Sequence, residues 1–213
     1  MVVLKSAEDT ELIAKAEAAG ILTYLNASDL GTEMTRLELA MLLAGLGDLQ
    51  PIPGVTVSIA DCGDLTDQEK QLLAVVLTRG WITTHEDGNF YPQQTLSRAE
   101  VAAILYKYVS GDVKGKDVSR YADGDFFTDV SSSAWYAGYV NYGATEGYLT
   151  GTEFRPTDTT LLRDALQWML AISGDSGEND GGNTNPAVPN DINGDGIVNV
   201  YDAIDLLSFI ANQ

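Results

Sequence analysis

The chain has 213 residues, 45% of them hydrophobic, enough to bury a core in one or two domains. Its 31 acidic and 12 basic side chains give a net charge of −19, which repels nucleic-acid phosphates and anionic lipid and suits calcium or basic partners. One cysteine, Cys62, excludes an internal disulfide and a Cys-based zinc cluster, and one histidine, His85, removes most transition-metal and triad chemistry.

The opening stretch "MVVLKSAEDTELIAKAEAAG" has no long apolar core and no small-residue cleavage site. No run reaches the roughly 20 apolar residues of a membrane span, so membrane insertion is not expected. The expectation is a secreted protein whose signal peptide is not present in this sequence.

Three successive segments then share one pattern, which predicts a mainly α fold of helix-loop-helix repeats at about 1–50, 55–112 and 118–172. In the first, "IAKAEAAGILTYL" leads to "MTRLELAMLLAGL". In the second, "QLLAVVLTRGWIT" leads through "EDGNFYP" to "LSRAEVAAILYKYV". The third runs "YAGYVNYGATEGYLTG", "EFRPTDTT", "LLRDALQWMLAI". Gly20 to Arg36 and Gly147 to Arg163 are each 16 residues, and Gly80 to Arg98 is 18.

Each glycine reads as a helix stop, where a left-handed backbone costs least. Thr35 and Ser97 read as N-caps, with Glu38 and Glu100 three residues on completing capping boxes. Apolar residues at Leu37, Ala40, Met41 and Ala44, and at Val101, Ile104, Leu105 and Tyr108, recur at helical spacing. One helix pair cannot cover such a stripe, so three pairs are expected to pack around one axis.

On these residues the segment 1–172 resembles three S-layer homology repeats. "FFTDVSSSAWYAGYVNYGATEGYLTG" is similar to that family's opening Phe-x-Asp, Trp and mid-repeat Gly, and "LSRAEV" to its Thr-Arg-Ala-Glu signature. The first repeat keeps "MTRLE". In the third, "LLRDA" is aligned with Arg163 as the signature arginine and Ala165 in the place of the glutamate. The resemblance implies a module on the bacterial cell surface that holds an anionic secondary cell-wall polysaccharide in grooves between repeats. It makes Arg36, Arg98 and Arg163 the contacts to acid groups, since a guanidinium offers a planar fork to a carboxylate beside helix N-terminal amides. Each arginine could instead pair with one of the chain's own acids. Trp81, Trp135 and Tyr136 are candidates to stack on sugar faces, with a core role as the alternative.

Residues 173–190, "SGDSGENDGGNTNPAVPN", are rich in Gly, Asn, Asp, Ser and Pro and read as a linker. The final segment, 191–213, opens with "DINGDGIVNVYD". Asp191, Asn193, Asp195, Ile197, Asn199 and Asp202 fill loop positions one, three, five, seven, nine and twelve of a calcium loop, with Gly196 at the sharp turn. Calcium wants six to eight oxygens, and position seven supplies a backbone carbonyl, so Ile197 serves there. The two prolines just before the loop disfavour an entering helix.

Loop plus exit helix only, "DINGDGIVNVYDAIDLLSFIANQ", resembles a single type I dockerin repeat from cellulosome-like systems. The resemblance implies a calcium-dependent cohesin partner, contacted by Val200, Tyr201, Leu207 and Ser208. Such repeats normally come in pairs, and about 23 residues fall below the usual size for independent folding. A second copy, the helical module, a cohesin or a second repeat is needed to complete it.

No catalytic set stands out, and the chain reads as non-catalytic. The expected function is a cell-surface assembly module whose dockerin-like end docks on a cohesin, with the repeats attaching to or spacing from the wall. Two alternatives remain: a polysaccharide binder with a structural calcium loop, and a fragment of a larger surface hydrolase.

Overall fold

The helix starts carry their own local reasons. In a computed structural model, which describes residues 6–174, six α-helices fall two to a repeat: α1 (Ala7–Ala18) and α2 (Arg36–Leu46), α3 (Asp67–Arg79) and α4 (Arg98–Ser110), and α5 (Ala137–Thr145) and α6 (Leu162–Ser173). The main helix packing runs across repeats rather than within them, α2 on α3, α4 on α5 and α6 on α1. Thr35, Thr66 and Ser97 each accept from the amide three residues on, and Glu38, Glu69 and Glu100 each return a carboxylate to the cap amide. These reciprocal boxes satisfy amides that a helix start otherwise leaves bare. Thr66 with Glu69 is a third box beyond the two expected from sequence. Helix α6 differs, because its cap residue, Leu161, has no side-chain acceptor.

The glycines close the first helix of each repeat as expected, with φ of +75° at Gly20, +75° at Gly80 and +83° at Gly147.

The loops entering α2, α4 and α6 meet in a closed ring. Met34 N–H donates to the Thr160 carbonyl (2.9 Å), Thr160 N–H to Leu96 (2.8 Å), and Leu96 N–H to Met34 (3.3 Å). One step outward, the backbone N–H groups of Arg36, Arg98 and Leu162 donate in the opposite cyclic order to the carbonyls of Gln94, Asp158 and Thr32, each at 2.9 Å. Isolated antiparallel bridges Glu33–Leu161, Thr35–Thr95 and Ser97–Thr159 mark the same three crossings. The three repeats therefore share one pseudo-threefold axis, and residues such as Leu39, Leu42, Leu72, Leu105, Val140 and Leu166 share one apolar core.

The ring corrects the register of the third repeat. Leu162, not Arg163, makes the bond that Arg36 and Arg98 make, and Asp164, not Ala165, occupies the third helical position held by Glu38 and Glu100. Counting from the mid-repeat glycine misplaced the arginine by one residue, because the intervening loops differ in length while the backbone bonds fix the true correspondence.

Among the described residues no helix is long and apolar enough to cross a membrane. All of them fall in the compact unit Met1–Ser176. The proposed calcium ligands Asp191, Asn193, Asp195, Ile197, Asn199 and Asp202, and the proposed cohesin contacts Val200, Tyr201, Leu207 and Ser208, lie outside the described residues.

Candidate functional site: the grooves between repeats

Because the ring repeats, each junction between repeats places the first residue of one second helix against the next repeat. The three junctions have reached different chemical states.

At the junction of the first and second repeats, Arg36 is 7% exposed. Its Nε donates to the Phe90 carbonyl and its Nη2 to the Thr83 carbonyl, each at 2.7 Å, and the guanidinium lies 4.9 Å from the centre of the Phe90 ring. Glu100, on the facing helix, is held by its own capping box at 2.8 Å from the Ser97 amide and 2.7 Å from its hydroxyl. The arginine thus anchors on neutral carbonyls while the nearby acid is engaged elsewhere. Burial pushes Arg36 below its usual value, against the pull of Glu100 and Asp61, and an arginine stays charged regardless.

A groove of about 170 Å³ opens over this arginine, lined among others by Thr83, Glu100, Ile104, Lys107 and Trp135. Lys107 is half-buried, and burial, followed by the charge of Arg36, pushes its ammonium below the usual lysine value. Trp135, from the third repeat, is 62% exposed at this groove. An indole so exposed contributes little to a core and offers an apolar face to a ligand. Two cations and an aromatic face in one concavity suit a sugar bearing an acid group.

At the second junction Arg98 is 8% exposed, and its Nε donates to the Phe154 carbonyl at 2.6 Å. Here, however, the guanidinium also pairs directly with the Asp164 carboxylate. It also lies beside the stacked rings of Phe154 (5.2 Å) and Trp168 (4.7 Å). Burial pushes Arg98 below its usual value, and Asp164 opposes that shift. The internal-pairing alternative raised from sequence holds at this arginine.

At the third junction the corresponding residue is Leu162, a buried hydrophobe. Arg163, one position on, is partly exposed and donates to Asp9 on α1 at 2.5 Å. That pair links the last repeat to the first and is not equivalent to the Arg36 site.

The aromatic candidates separate in the same way. Trp81 is 8% exposed and stacks edge-on with Tyr108 at 4.8 Å, so it is a core residue. Trp135 and Tyr136 form an edge-on pair at 5.5 Å, and Trp135 lines the groove.

Three contributors were missed by sequence reasoning. Lys107 lies two helical turns after Glu100, a spacing that could have placed it on the groove face. Asp61 accepts from the amides of Phe90 (3.0 Å) and Tyr91 (2.6 Å), and Asp129 from those of Phe154 (2.8 Å) and Arg155 (2.6 Å). These clamps hold Tyr91 and Arg155 at φ of +56° and +55°, and so present the Phe90 and Phe154 carbonyls to the two arginines. The parallel between "IAD" at 59–61 and "FTD" at 127–129 was the available signal.

Away from the grooves, Cys62 is buried and burial pushes its thiol up, the opposite of what a nucleophile needs. His85 is an exposed loop residue packed edge-on against Tyr91 at 5.0 Å.

Comparison with known proteins gives this geometry a family context. Residues 74–102 and 126–161 match the S-layer homology domain. The chain is 30% identical over 124 residues to the surface-layer 125 kDa protein of Lysinibacillus sphaericus, a match covering 56% of this chain and 10% of that protein. It is 25% identical over 114 residues to the middle cell wall protein of Brevibacillus brevis, covering 52% and 10%, and 26% identical over 98 residues to a surface layer protein of Brevibacillus choshinensis, covering 45% and 8%. The matched region thus spans about a tenth of the length of these relatives. The two matched stretches fall in the second and third helical repeats.

Proposed function

We propose that residues 6–174 form a non-catalytic attachment module on the outer surface of a bacterial cell, which holds an anionic cell-wall polysaccharide in the groove between the first and second repeats. The observation that carries this reading is the joining of Arg36, Lys107 and the exposed Trp135 in one groove, in a chain otherwise rich in acid. The surface-layer and cell-wall relatives support the location. Arg36 and Lys107 would take the acid group and Trp135 the apolar sugar face.

The test is co-sedimentation with Lysinibacillus sphaericus walls, before and after chemical removal of their polysaccharide. Trp135→Ala is expected to weaken binding about fivefold, as removal of one stacking face costs on the order of 1 kcal/mol. Its melting temperature should not change, since the residue is exposed. Binding that survives polysaccharide removal, or that ignores both Trp135→Ala and Lys107→Gln, would sink the reading. Because Lys107 titrates below the usual lysine value of 10.5, binding should weaken as pH rises toward that value and the ammonium is lost.

A second reading concerns residues 191–213. The twelve-residue spacing from Asp191 to Asp202 supports a calcium loop, and its exit segment supports docking on a cohesin-type protein through Val200, Tyr201, Leu207 and Ser208. In that reading the calcium neutralises carboxylates that would otherwise repel one another, so metal and local folding are linked. Binding to a cohesin panel with millimolar calcium, and again with chelator, tests it. Calcium uptake without cohesin binding reduces the loop to a structural clip, and absence of both removes this reading.

A further inference from the structure

The first two junctions differ in what their acids do, and the cause is local. Glu100 follows Ser97, whose amide and hydroxyl capture its carboxylate. Asp164 occupies the same helical position after Leu161, which has no hydroxyl to offer, and its side chain is one methylene shorter. Its carboxylate therefore lacks the capping-box partner and pairs across the junction with Arg98.

We propose that Asp164 is a built-in stand-in for the acid group of a ligand, so that the second junction is a latent anion site closed by the chain itself. The module then takes one anionic group where its backbone symmetry provides two cationic junctions. The identity of the anion as a polysaccharide acid rests on the proposed function above, whereas the self-occupied site rests on the Arg98–Asp164 geometry alone. The guanidinium already has its anchor on the Phe154 carbonyl and its ring neighbours, as Arg36 has its own carbonyl anchors. Where Arg36 has the Thr83 carbonyl as its second acceptor, Arg98 has the Asp164 carboxylate, the group for which an arginine fork is shaped. Trp168 stands where the first groove has Ile104, so the second site has an aromatic wall of its own.

Chemical rescue tests the closed site without any polysaccharide. Asp164→Ala leaves Arg98 buried without its acid and lowers the melting temperature. Acetate at equal ionic strength to a chloride control is expected to restore part of that loss in Asp164→Ala and to have no such effect on the unaltered chain. No acetate-specific stabilisation of the variant overturns the proposal.

The double variant Leu161→Thr with Asp164→Glu covers the case in which Asp164→Ala does not fold. It rebuilds the capping box and draws the carboxylate away from Arg98. Calorimetric titration with short polysaccharide fragments from Lysinibacillus sphaericus walls should then show one more equivalent bound than by the unaltered chain. An equal number overturns the latent site while leaving the first groove intact. If the unaltered chain binds none and the double variant binds one, the first-groove reading fails and the latent site stands.

Discussion

One member of the ring, Thr160, is fully buried, with its backbone bonded on both sides and its Oγ1 without a hydrogen-bond partner. The corresponding residues in the other repeats are Met34 and Leu96, both apolar. A buried hydroxyl without a partner costs about 1–3 kcal/mol. Thr160→Val keeps the shape and removes the hydroxyl, so it should stabilise the module by roughly 1 kcal/mol, read as a higher denaturant midpoint with unchanged slope. Asp61 works in the opposite sense. Burial alone would raise its carboxyl, but the amides of Phe90 and Tyr91 outweigh burial and hold it below its ordinary value of 3.8. A depressed folded value means the contribution is present above 3.8 and is lost as pH falls through the folded value. Asp61→Asn should therefore be destabilised most near neutrality, and its deficit against the unaltered chain should shrink in melts taken progressively below pH 3.8.

Among the elements, α2 shows how closely two chain segments approach. A Cβ added to Gly45 would lie 2.4 Å from the Ile21 carbonyl oxygen and 2.7 Å from that of Gly20. Both are backbone atoms that cannot rotate away, so Gly45→Ala must push α2 from the turn after α1. Overpacking of this kind costs about 1–3 kcal/mol. A thermal melt of Gly45→Ala that matches the unaltered chain would show that the approach is looser than described. The capping boxes of α2 and α4 were legible in Thr35–Glu38 and Ser97–Glu100, since both partners lie within one turn. The start of α6 was not legible in the same way. Without a capping hydroxyl, "LLRDA" has no local marker of its register, and the arginine drew the alignment to itself.

For the whole molecule, ring closure is the governing fact. A fragment ending at residue 111 would lose the bonds from Met34 to Thr160, from Leu162 to Thr32 and from Arg98 to Asp158, and would expose the core shared with α5 and α6. Fragment 1–111 is expected to lose its cooperative melt by circular dichroism, whereas 1–174 is expected to keep it. A cooperative two-repeat fragment would mean that each repeat holds its own core, contrary to the single cluster found here.

The sequence by itself determined what is local: helical repeats from apolar periodicity, the caps of α2 and α4 from Thr35–Glu38 and Ser97–Glu100, and the stops of α1, α3 and α5 from glycine. The resemblance to a known signature also made Arg36, Arg98 and Arg163 candidates. Only the tertiary structure decided which arginine faces a groove, which is neutralised and which belongs elsewhere. Those outcomes depend on residues from different repeats, such as Asp164 against Arg98, Asp9 against Arg163 and Trp135 beside Arg36. Charge pairing acts over a few ångströms in space, and the separation of 66 positions between Arg98 and Asp164 carries no trace of that distance until the ring closes.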